Sequence, residues 1–151
     1  MSNVRLFISF DMANDGDLYG LLLEQSLQGD SGFEISARSE PRTLAEPGQE
    51  RVRRRIRGVD EVIVICGEHT ADSVSVNAEL LIVQEEQKPY FLLWGRRESM
   101  CTRPCGAKPA DSMYSWTREI LQSQIAVTLR KAQPREIPDN CKRASAATRQ
   151  Q

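Results

Sequence analysis

The chain has 151 residues, of which 40% are hydrophobic and 27% are charged, and its formal net charge at pH 7 is -1. This length suits one globular domain with a real core, and the near-neutral charge gives no reason to expect nucleic acid or an anionic membrane as a partner. No apolar run reaches the roughly 20 residues of a membrane span, and the start lacks a signal-peptide pattern, so we expect a cytoplasmic protein.

The first part of the chain predicts a strand, a helix and a second strand. Residues 4–10 (VRLFISF) are β-branched, aromatic and mostly apolar, and turn-forming residues follow them. Leucines near helical spacing predict a helix over residues 18–28, which the sequence GDSG ends. Residues 33–37 (FEISA) alternate apolar and polar side chains, as a half-buried strand does.

A long loop from residue 38 (RSEPRTLAEPG) then leads to a predicted helix over residues 49–59, with Val52 and Ile56 on one side. Residues 61–66 (EVIVIC) form the clearest strand, because an unbroken β-branched run indicates burial on both faces. The remaining predicted elements are a helix over 73–87 capped by Ser73, a strand over 88–95, an irregular segment over 96–111, a short edge strand over 112–116 and a helix over 117–132 capped by Thr117.

Strands that alternate with helices indicate a parallel sheet with helices on both faces and right-handed crossovers. The sequence therefore predicts an α/β domain over residues 1–132 with a central parallel sheet of about five strands. Residues 133–151 contain two prolines and scattered charge with little apolar surface, so we expect a disordered tail.

One acidic residue stands out, because Glu79 lies among apolar residues on the predicted third helix. At helical spacing Glu79 shares a face with Ser75, which would open beside the ends of the first and third strands. A carboxylate there could stabilise positive charge on a sugar. On the pattern alone, a solvent-facing or arginine-paired glutamate is the better interpretation.

A second group of candidates, Ser9, Phe10 and Asp11, ends the first strand, where a doubly wound sheet binds its ligand. Backbone amides of the following turn could hold phosphates. The turn contains no G-x-G-x-x-G, so a dinucleotide site of the dehydrogenase type is excluded. The alternative is a strand that stops at acidic turn residues, with Phe10 in the core.

Four features occur in order: a first strand ending in FISFD, a β-branched third strand running into GEHT, Ser73 six residues before Glu79, and KP followed by an apolar strand. Together they resemble the TIR-like family of bacterial proteins, including the TIR-like proteins of the Thoeris antiphage defence system. The resemblance extends from about residue 4 to residue 125, with strong identity at the first strand and over residues 62–93.

The resemblance implies a flavodoxin-like three-layer sandwich. In the enzymatic members it implies cleavage of the nicotinamide–ribose bond of NAD, followed by hydrolysis or cyclisation of the ADP-ribose product. Its motif places the catalytic glutamate at Glu79, with Ser9, Phe10, Asp11 and Ser75 lining the site. NAD is then the substrate, and neither a cofactor nor a metal is expected.

In many relatives the loop that starts at Arg38 and Ser39 gates the pocket and mediates assembly. The resemblance therefore implies that these two residues and Glu40 approach the ligand or a neighbouring subunit. It also implies that the protein self-associates through TIR-like surfaces and that an effector protein responds to the nucleotide product. A mobile surface loop is the alternative.

Two other functions remain open. The family commonly has an aromatic residue at the position of Ser75, and this departure favours a catalytically inactive module for protein interaction and oligomerisation. A flavin-binding protein of the same fold is the weaker alternative, because DMANDGD lacks the Ser/Thr-rich character of a flavodoxin phosphate loop. The sequence does not separate hydrolase from cyclase.

The remaining polar residues suggest no further chemistry. The single histidine, His69, has no identifiable partner and is expected to shape the site loop. Five arginines between residues 51 and 57 spread around a helix instead of forming the stripe that nucleic acid requires. Cys101 and Cys105 have no second ligand pair at zinc spacing, so structural zinc is not expected.

Overall fold

The computed structural model describes residues 3–40 and 46–132. The predicted disordered tail, residues 133–151, lies outside the described residues, as does part of the predicted long loop, residues 41–45. The elements are β1 Val4–Ser9, α1 Gly16–Ser26, β2 Phe33–Arg38, α2 Glu46–Arg57, β3 Glu61–Cys66, a 3-10 turn Thr70–Asp72, α3 Val74–Glu85, β4 Tyr90–Trp94, β5 Met113–Ser115 and α4 Arg118–Ala132.

The five strands form one parallel sheet in the order β2-β1-β3-β4-β5. This is the flavodoxin-like order of doubly wound folds, so the predicted α/β fold with about five parallel strands is confirmed. Strand β3 lies at the centre and β5 at an edge, also as predicted. The strand order reverses between β1 and β3, and ligands of such sheets bind outside the carboxyl ends of the strands at this switch point.

The alternation of side chains along the strands divides the core into two clusters. Phe7, Val62 and Val64 pack toward α2 and α3, whereas Leu6 and Ile63 pack toward α1 and α4. All six residues of β3 are buried, which the unbroken apolar run predicted. Each large apolar side chain buried in this way contributes about 1.5–3 kcal/mol relative to an exposed one.

Both predicted helix caps are present. The Ser73 hydroxyl accepts the Val76 N–H at 3.3 Å, and the Thr117 hydroxyl accepts the Ile120 N–H at 3.1 Å. Such caps satisfy backbone donors that have no partner inside the helix. In the described part of the chain, no helix combines the length and the apolar character needed to cross a bilayer.

Helix α1 differs from its prediction. It begins at Gly16, two residues before the predicted start, and only Leu18 and Leu22 of its leucines are buried. Leu21 is 52% exposed and Leu27, just after the helix, is 78% exposed. The reason is geometric, because residues one turn apart face the sheet together while residues at intermediate angles project to the side.

Among the described residues, four of the five arginines of α2 pair with acidic side chains of neighbouring segments. Arg53 and Arg57 both contact Glu86, with closest nitrogen–oxygen distances of 2.7 and 2.5 Å. Hydrogen bonds from Arg57 and Arg53 lower the pKa of Glu86 to about 2. These arginines thus connect α2 to the end of α3 across the surface of the domain.

A buried acid begins the central strand. Glu61 is completely buried, and neither of its carboxylate oxygens has a hydrogen-bond partner among the described residues. Burial, with a smaller contribution from the neighbouring Asp60, raises the pKa of Glu61 from 4.5 to about 8. The folded protein therefore holds the proton of Glu61 more tightly than the unfolded chain does, and stability falls as pH rises from 4.5 to about 8.

We expect Glu61→Gln to be more stable than the parent at pH 8 and to unfold with nearly the same free energy at pH 4. The reason is that the Glu61 pKa shift costs the parent on the order of 4 kcal/mol of unfolding free energy across this range, whereas glutamine has no proton to lose. Urea unfolding over a pH series measures the difference, with exposed Glu34→Gln as control. Equal pH slopes for Glu61→Gln and the parent would contradict a protonated Glu61.

Candidate functional site

The carboxylate of Glu79 is completely buried at the carboxyl ends of β1 and β2. The Ser9 hydroxyl, at the end of β1, donates to Glu79 Oε1 at 2.7 Å. The Ser39 hydroxyl, one residue after β2, donates to the same oxygen at 2.5 Å. These three residues are far apart in sequence and meet because parallel strands end at one edge of the sheet. A solvent-facing position for Glu79 is therefore excluded.

The strand geometry explains why Ser9 faces Glu79. Successive side chains of a strand point to opposite faces, and Ile8 and Phe10 both pack toward α1 and α4. The intervening Ser9 must therefore point to the other face, which α3 covers. Its position at the last residue of β1 brings the hydroxyl level with the middle of α3.

Ser39 is fixed by backbone hydrogen bonds that continue the β1–β2 pairing beyond the strand end. Its N–H donates to the carbonyl of Ile8 at 2.9 Å, and its hydroxyl accepts the Phe10 N–H at 2.9 Å. The hydroxyl thus accepts from the backbone of one strand and donates to Glu79. Ser9 and Ser39 together satisfy a carboxylate oxygen that is buried away from water, which would otherwise be costly.

The side chains of Phe10 and Arg38 lie on the opposite face of the sheet. The Phe10 ring is 1% exposed and stacks on Tyr19 of α1, with 4.8 Å between ring centroids. The Arg38 guanidinium lies over the Tyr19 ring, 5.3 Å from the ring centroid. Of the residues predicted at the strand ends, Ser9 and Ser39 contact Glu79 through their hydroxyls. Phe10 does not contact Glu79 in this way, and its backbone N–H donates to the Ser39 hydroxyl.

Asp11 and Ser75 line a pocket of about 490 Å³ between the β1–α1 turn and the start of α3. His69 and Asp72 also form part of its wall. Ser75 lies one helical turn before Glu79, and its hydroxyl is 3.4 Å from that of Ser73. The buried carboxylate itself does not line the pocket. The structure therefore places the predicted residues in two adjacent groups, one around Glu79 and one around this pocket.

Within the pocket wall, Asp11 holds the turn that follows β1. One carboxylate oxygen accepts the Ala13 N–H at 3.0 Å, and the other accepts the Asn14 side-chain amide at 2.7 Å. The backbone carbonyl of Asp11 also accepts the N–H groups of Asn14 and Asp15. Asp11 therefore shapes the turn, in agreement with the interpretation of this segment as a strand stop.

A network around Asp15 was not predicted from the sequence. Asp15 is 1% exposed, and Arg96 contacts both Asp15, at 3.2 Å, and Asp17, at 2.8 Å. Burial raises the pKa of Asp15, which the Arg96 charge opposes, and the Arg96 hydrogen bond lowers the pKa of Asp17. A Cβ at Gly67 would lie 2.4 Å from both Asp15 carboxylate oxygens, so the network requires glycine there.

A sequence signal for this network exists in retrospect. Gly67 and Gly95 directly follow β3 and β4, and a Cβ at Gly95 would lie 2.6 Å from a Leu18 methyl group. A glycine immediately after each of two central strands indicates that another segment packs closely across both strand ends. Here that segment is the start of α1.

The structure shows no cluster of metal-ligating side chains in the part of the chain that it describes. Within residues 3–40 and 46–132, no group of three or more His, Cys, Asp or Glu side chains is arranged to hold an ion. Cys66, Cys101 and Cys105 are free thiols. Burial raises the pKa of Cys66 to about 12, so this thiol stays protonated and unreactive at neutral pH.

Two solved structures show distant likeness to this fold. The glutaminase domain of CTPS from Trypanosoma brucei, with bound acivicin, has 18% identity and a TM-score of 0.40; the match covers 60% of this chain and 36% of that chain. A 3-dehydroquinate dehydratase-like protein from Bifidobacterium longum has 14% identity and a TM-score of 0.45 over 89% of this chain and 100% of the other. This chain thus spans about a third of the glutaminase chain. No curated protein matches the sequence.

A family model gives a clear assignment. The model for the TIR-like domain of Thoeris protein ThsB matches residues 7–96, which is more than half of the chain. The matched segment contains Ser9, Ser39 and Glu79, together with the switch point of the sheet. The chain therefore belongs to the TIR-like domain family of Thoeris protein ThsB.

Proposed function

We propose that this protein is an NAD-consuming enzyme of antiphage defence that cleaves the nicotinamide–ribose bond, with Glu79 as its catalytic carboxylate. The observation that carries the proposal is the complete burial of Glu79 against two serine hydroxyls at the ends of β1 and β2, beside the switch point of the sheet. Burying a carboxyl group is costly, and a position that holds one beside a ligand crevice is a candidate for chemistry.

The chemistry of the bond explains why one carboxylate is enough. Nicotinamide leaves as a neutral molecule, because the electron pair of the broken bond neutralises its ring nitrogen. No acid has to protonate the leaving group, in contrast to ordinary glycoside hydrolysis. Positive charge develops on the ribose instead, and a fixed carboxylate stabilises it. Water that attacks the ribose carbon gives ADP-ribose and a proton, whereas an adenine nitrogen that attacks it closes a ring.

The residues around Glu79 then have separate roles. Ser9 and Ser39 position the carboxylate through Oε1, and the pocket lined by Asp11 and Ser75 receives the substrate. A volume of about 490 Å³ is within the range of small-molecule sites. Because Glu79 does not line this pocket, contact with the ribose requires a rearrangement that opens the pocket toward the carboxylate while Ser9 and Ser39 keep their hydrogen bonds to it.

The biological part of the proposal follows from the family. The product would be a cyclic ADP-ribose-type signal that a separate effector protein recognises, and self-association through TIR-like surfaces would open the pocket toward Glu79. The direct test is to incubate the purified protein with NAD, with and without extract of phage-infected cells, and to measure free nicotinamide. Release of nicotinamide under either condition supports the proposal, and no release under both opposes it.

We expect Ser39→Ala to lower nicotinamide release by about tenfold, because Glu79 loses a charge-assisted hydrogen bond. The melting temperature should fall by a few degrees, since the buried Phe10 N–H also loses its acceptor. Exposed Ser36→Ala, on the strand that precedes Ser39, is the matched control and should change neither quantity. Faster release in Ser39→Ala would mean that Ser39 restrains Glu79 and does not position it.

A second function is favoured by a specific observation. The Glu79 carboxylate does not line the pocket beside Ser75, and Ser75 stands where the family commonly has an aromatic residue. Both features suit a catalytically inactive module that acts by self-association. Such a module would assemble as its concentration rises, as measured by analytical ultracentrifugation, and would leave NAD intact in the nicotinamide assay.

A further inference from the structure

A second pocket, of about 530 Å³, opens beside the ends of β4 and β5 against α1. Both tryptophans of the chain, Trp94 and Trp116, line it together with Leu21 and Arg97. It shares no lining residue with the pocket beside Ser75. The proposed NAD chemistry therefore leaves this pocket unexplained.

The polar groups of the two indoles are already bonded within the protein. Trp94 Nε1 donates to the carbonyl of Arg96 at 2.7 Å, and Trp116 Nε1 donates to Gln25 Oε1 at 3.0 Å. Indole has no other hydrogen-bonding group, so these side chains offer only ring surface to the pocket. Leu21, which is 52% exposed, adds apolar surface beside them. Such a lining favours a flat aromatic group.

The charge at the rim of this pocket is positive. Arg96 is compensated by Asp15 and Asp17, whereas Arg97 is exposed and forms no ion pair with any residue that the structure describes. None of the described residues that line the pocket is acidic. An uncompensated guanidinium beside aromatic surface suits a phosphate attached to a ring, because guanidinium matches phosphate geometry.

We propose that this pocket is a nucleoside phosphate site, with the base against Trp94, Trp116 and Leu21 and the phosphate on Arg97. Its volume is within the range of small-molecule sites. Aromatic side chains stack on any base, so this lining selects for an aromatic ring and a phosphate and not for a particular base. The site does not depend on NAD cleavage, because it involves neither Glu79 nor the residues that position it.

Intrinsic fluorescence provides a direct test, because both tryptophans of the chain line the pocket. The full chain is titrated with AMP, with adenosine and with inorganic phosphate, and calorimetry confirms each affinity. AMP should change the fluorescence saturably and bind about tenfold more tightly than adenosine, since only AMP reaches Arg97 with a charge. Inorganic phosphate alone should leave the fluorescence unchanged.

Two variants at the pocket and two elsewhere locate the site. Arg97→Gln should weaken AMP binding to the affinity of adenosine and leave the affinity for adenosine unchanged. Arg54→Gln, which removes an exposed charge on α2, should change neither affinity. Leu21→Glu, at a half-exposed position, should abolish AMP binding and keep the melting temperature. No saturable change with AMP, equal affinities for AMP and adenosine, or unchanged AMP binding in Arg97→Gln would overturn the proposal. AMP binding that is lost in Glu79→Gln but retained in Arg97→Gln would also overturn it.

Discussion

Glu79→Gln is expected to lower nicotinamide release from NAD by at least about 100-fold. The developing positive charge on the ribose loses its anion, and removal of one fixed electrostatic group from a preorganised site costs about that much or more. Glutamine has nearly the same shape, and its amide oxygen can still accept the hydroxyls of Ser9 and Ser39. The fold should therefore be retained, and removal of a buried charge can even stabilise it.

Glu85→Gln provides the matched control on the same helix. Glu85 is exposed and pairs with Arg53 at 2.9 Å, and such surface pairs contribute at most about 1 kcal/mol. This variant should release nicotinamide at the parental rate. An equal loss of activity in Glu85→Gln would assign the effect to α3 as a whole and not to the carboxylate of Glu79.

Arg96→Met is expected to destabilise the protein by about 3–5 kcal/mol. The change leaves the carboxylate of Asp15 buried without its cation, and one oxygen of Asp15 already has no hydrogen-bond partner among the described residues. Asp15 also packs against Gly67, so the carboxylate has little room to turn toward water. Urea unfolding at pH 7 measures the loss, and Arg97→Met, which removes the adjacent unpaired guanidinium, should cost far less.

The destabilisation should depend on pH in a defined direction. Burial already raises the pKa of Asp15, and Arg96 opposes that shift, so loss of Arg96 raises this pKa further. As pH falls, Asp15 therefore takes up its proton at a higher pH in the variant than in the parent. A neutral buried group lowers the stability of the folded state less than an ionised one does. The stability deficit of Arg96→Met should therefore shrink as pH falls. The deficit caused by Arg96→Met should also be smaller when Asp15 is replaced by asparagine in the same protein. A deficit that is independent of pH would contradict this account.

The fold could be predicted because its signals are local. Apolar strands and amphipathic helices alternate along the chain, and the unbroken run of β3 predicts a central position. The caps at Ser73 and Thr117 follow from residue type and position alone. The position of Leu21 could not be predicted, because spacing in a short helix does not show which turn contacts the sheet.

The candidate site was only partly predictable. Ser9 and Glu79 follow from strand ends and helical spacing, together with the resemblance to the TIR-like family. The shared contact of Ser9 and Ser39 with one oxygen of Glu79 depends on how three distant segments meet. The Arg96 contacts with Asp15 and Asp17 join residues about 80 positions apart, and nothing near either end indicates the partner.

The measurement that tests the central claim most directly compares nicotinamide release and thermal unfolding in the parent and in Glu79→Gln, under the condition that gives the parent its highest activity. If Glu79 is present for chemistry, nicotinamide release falls by at least about 100-fold while the melting temperature is unchanged or higher. If Glu79 is present for structure, the melting temperature falls while NAD turnover stays within a few-fold of the parent. The first result is the one we predict, and the second would contradict the assignment of Glu79 as the catalytic residue.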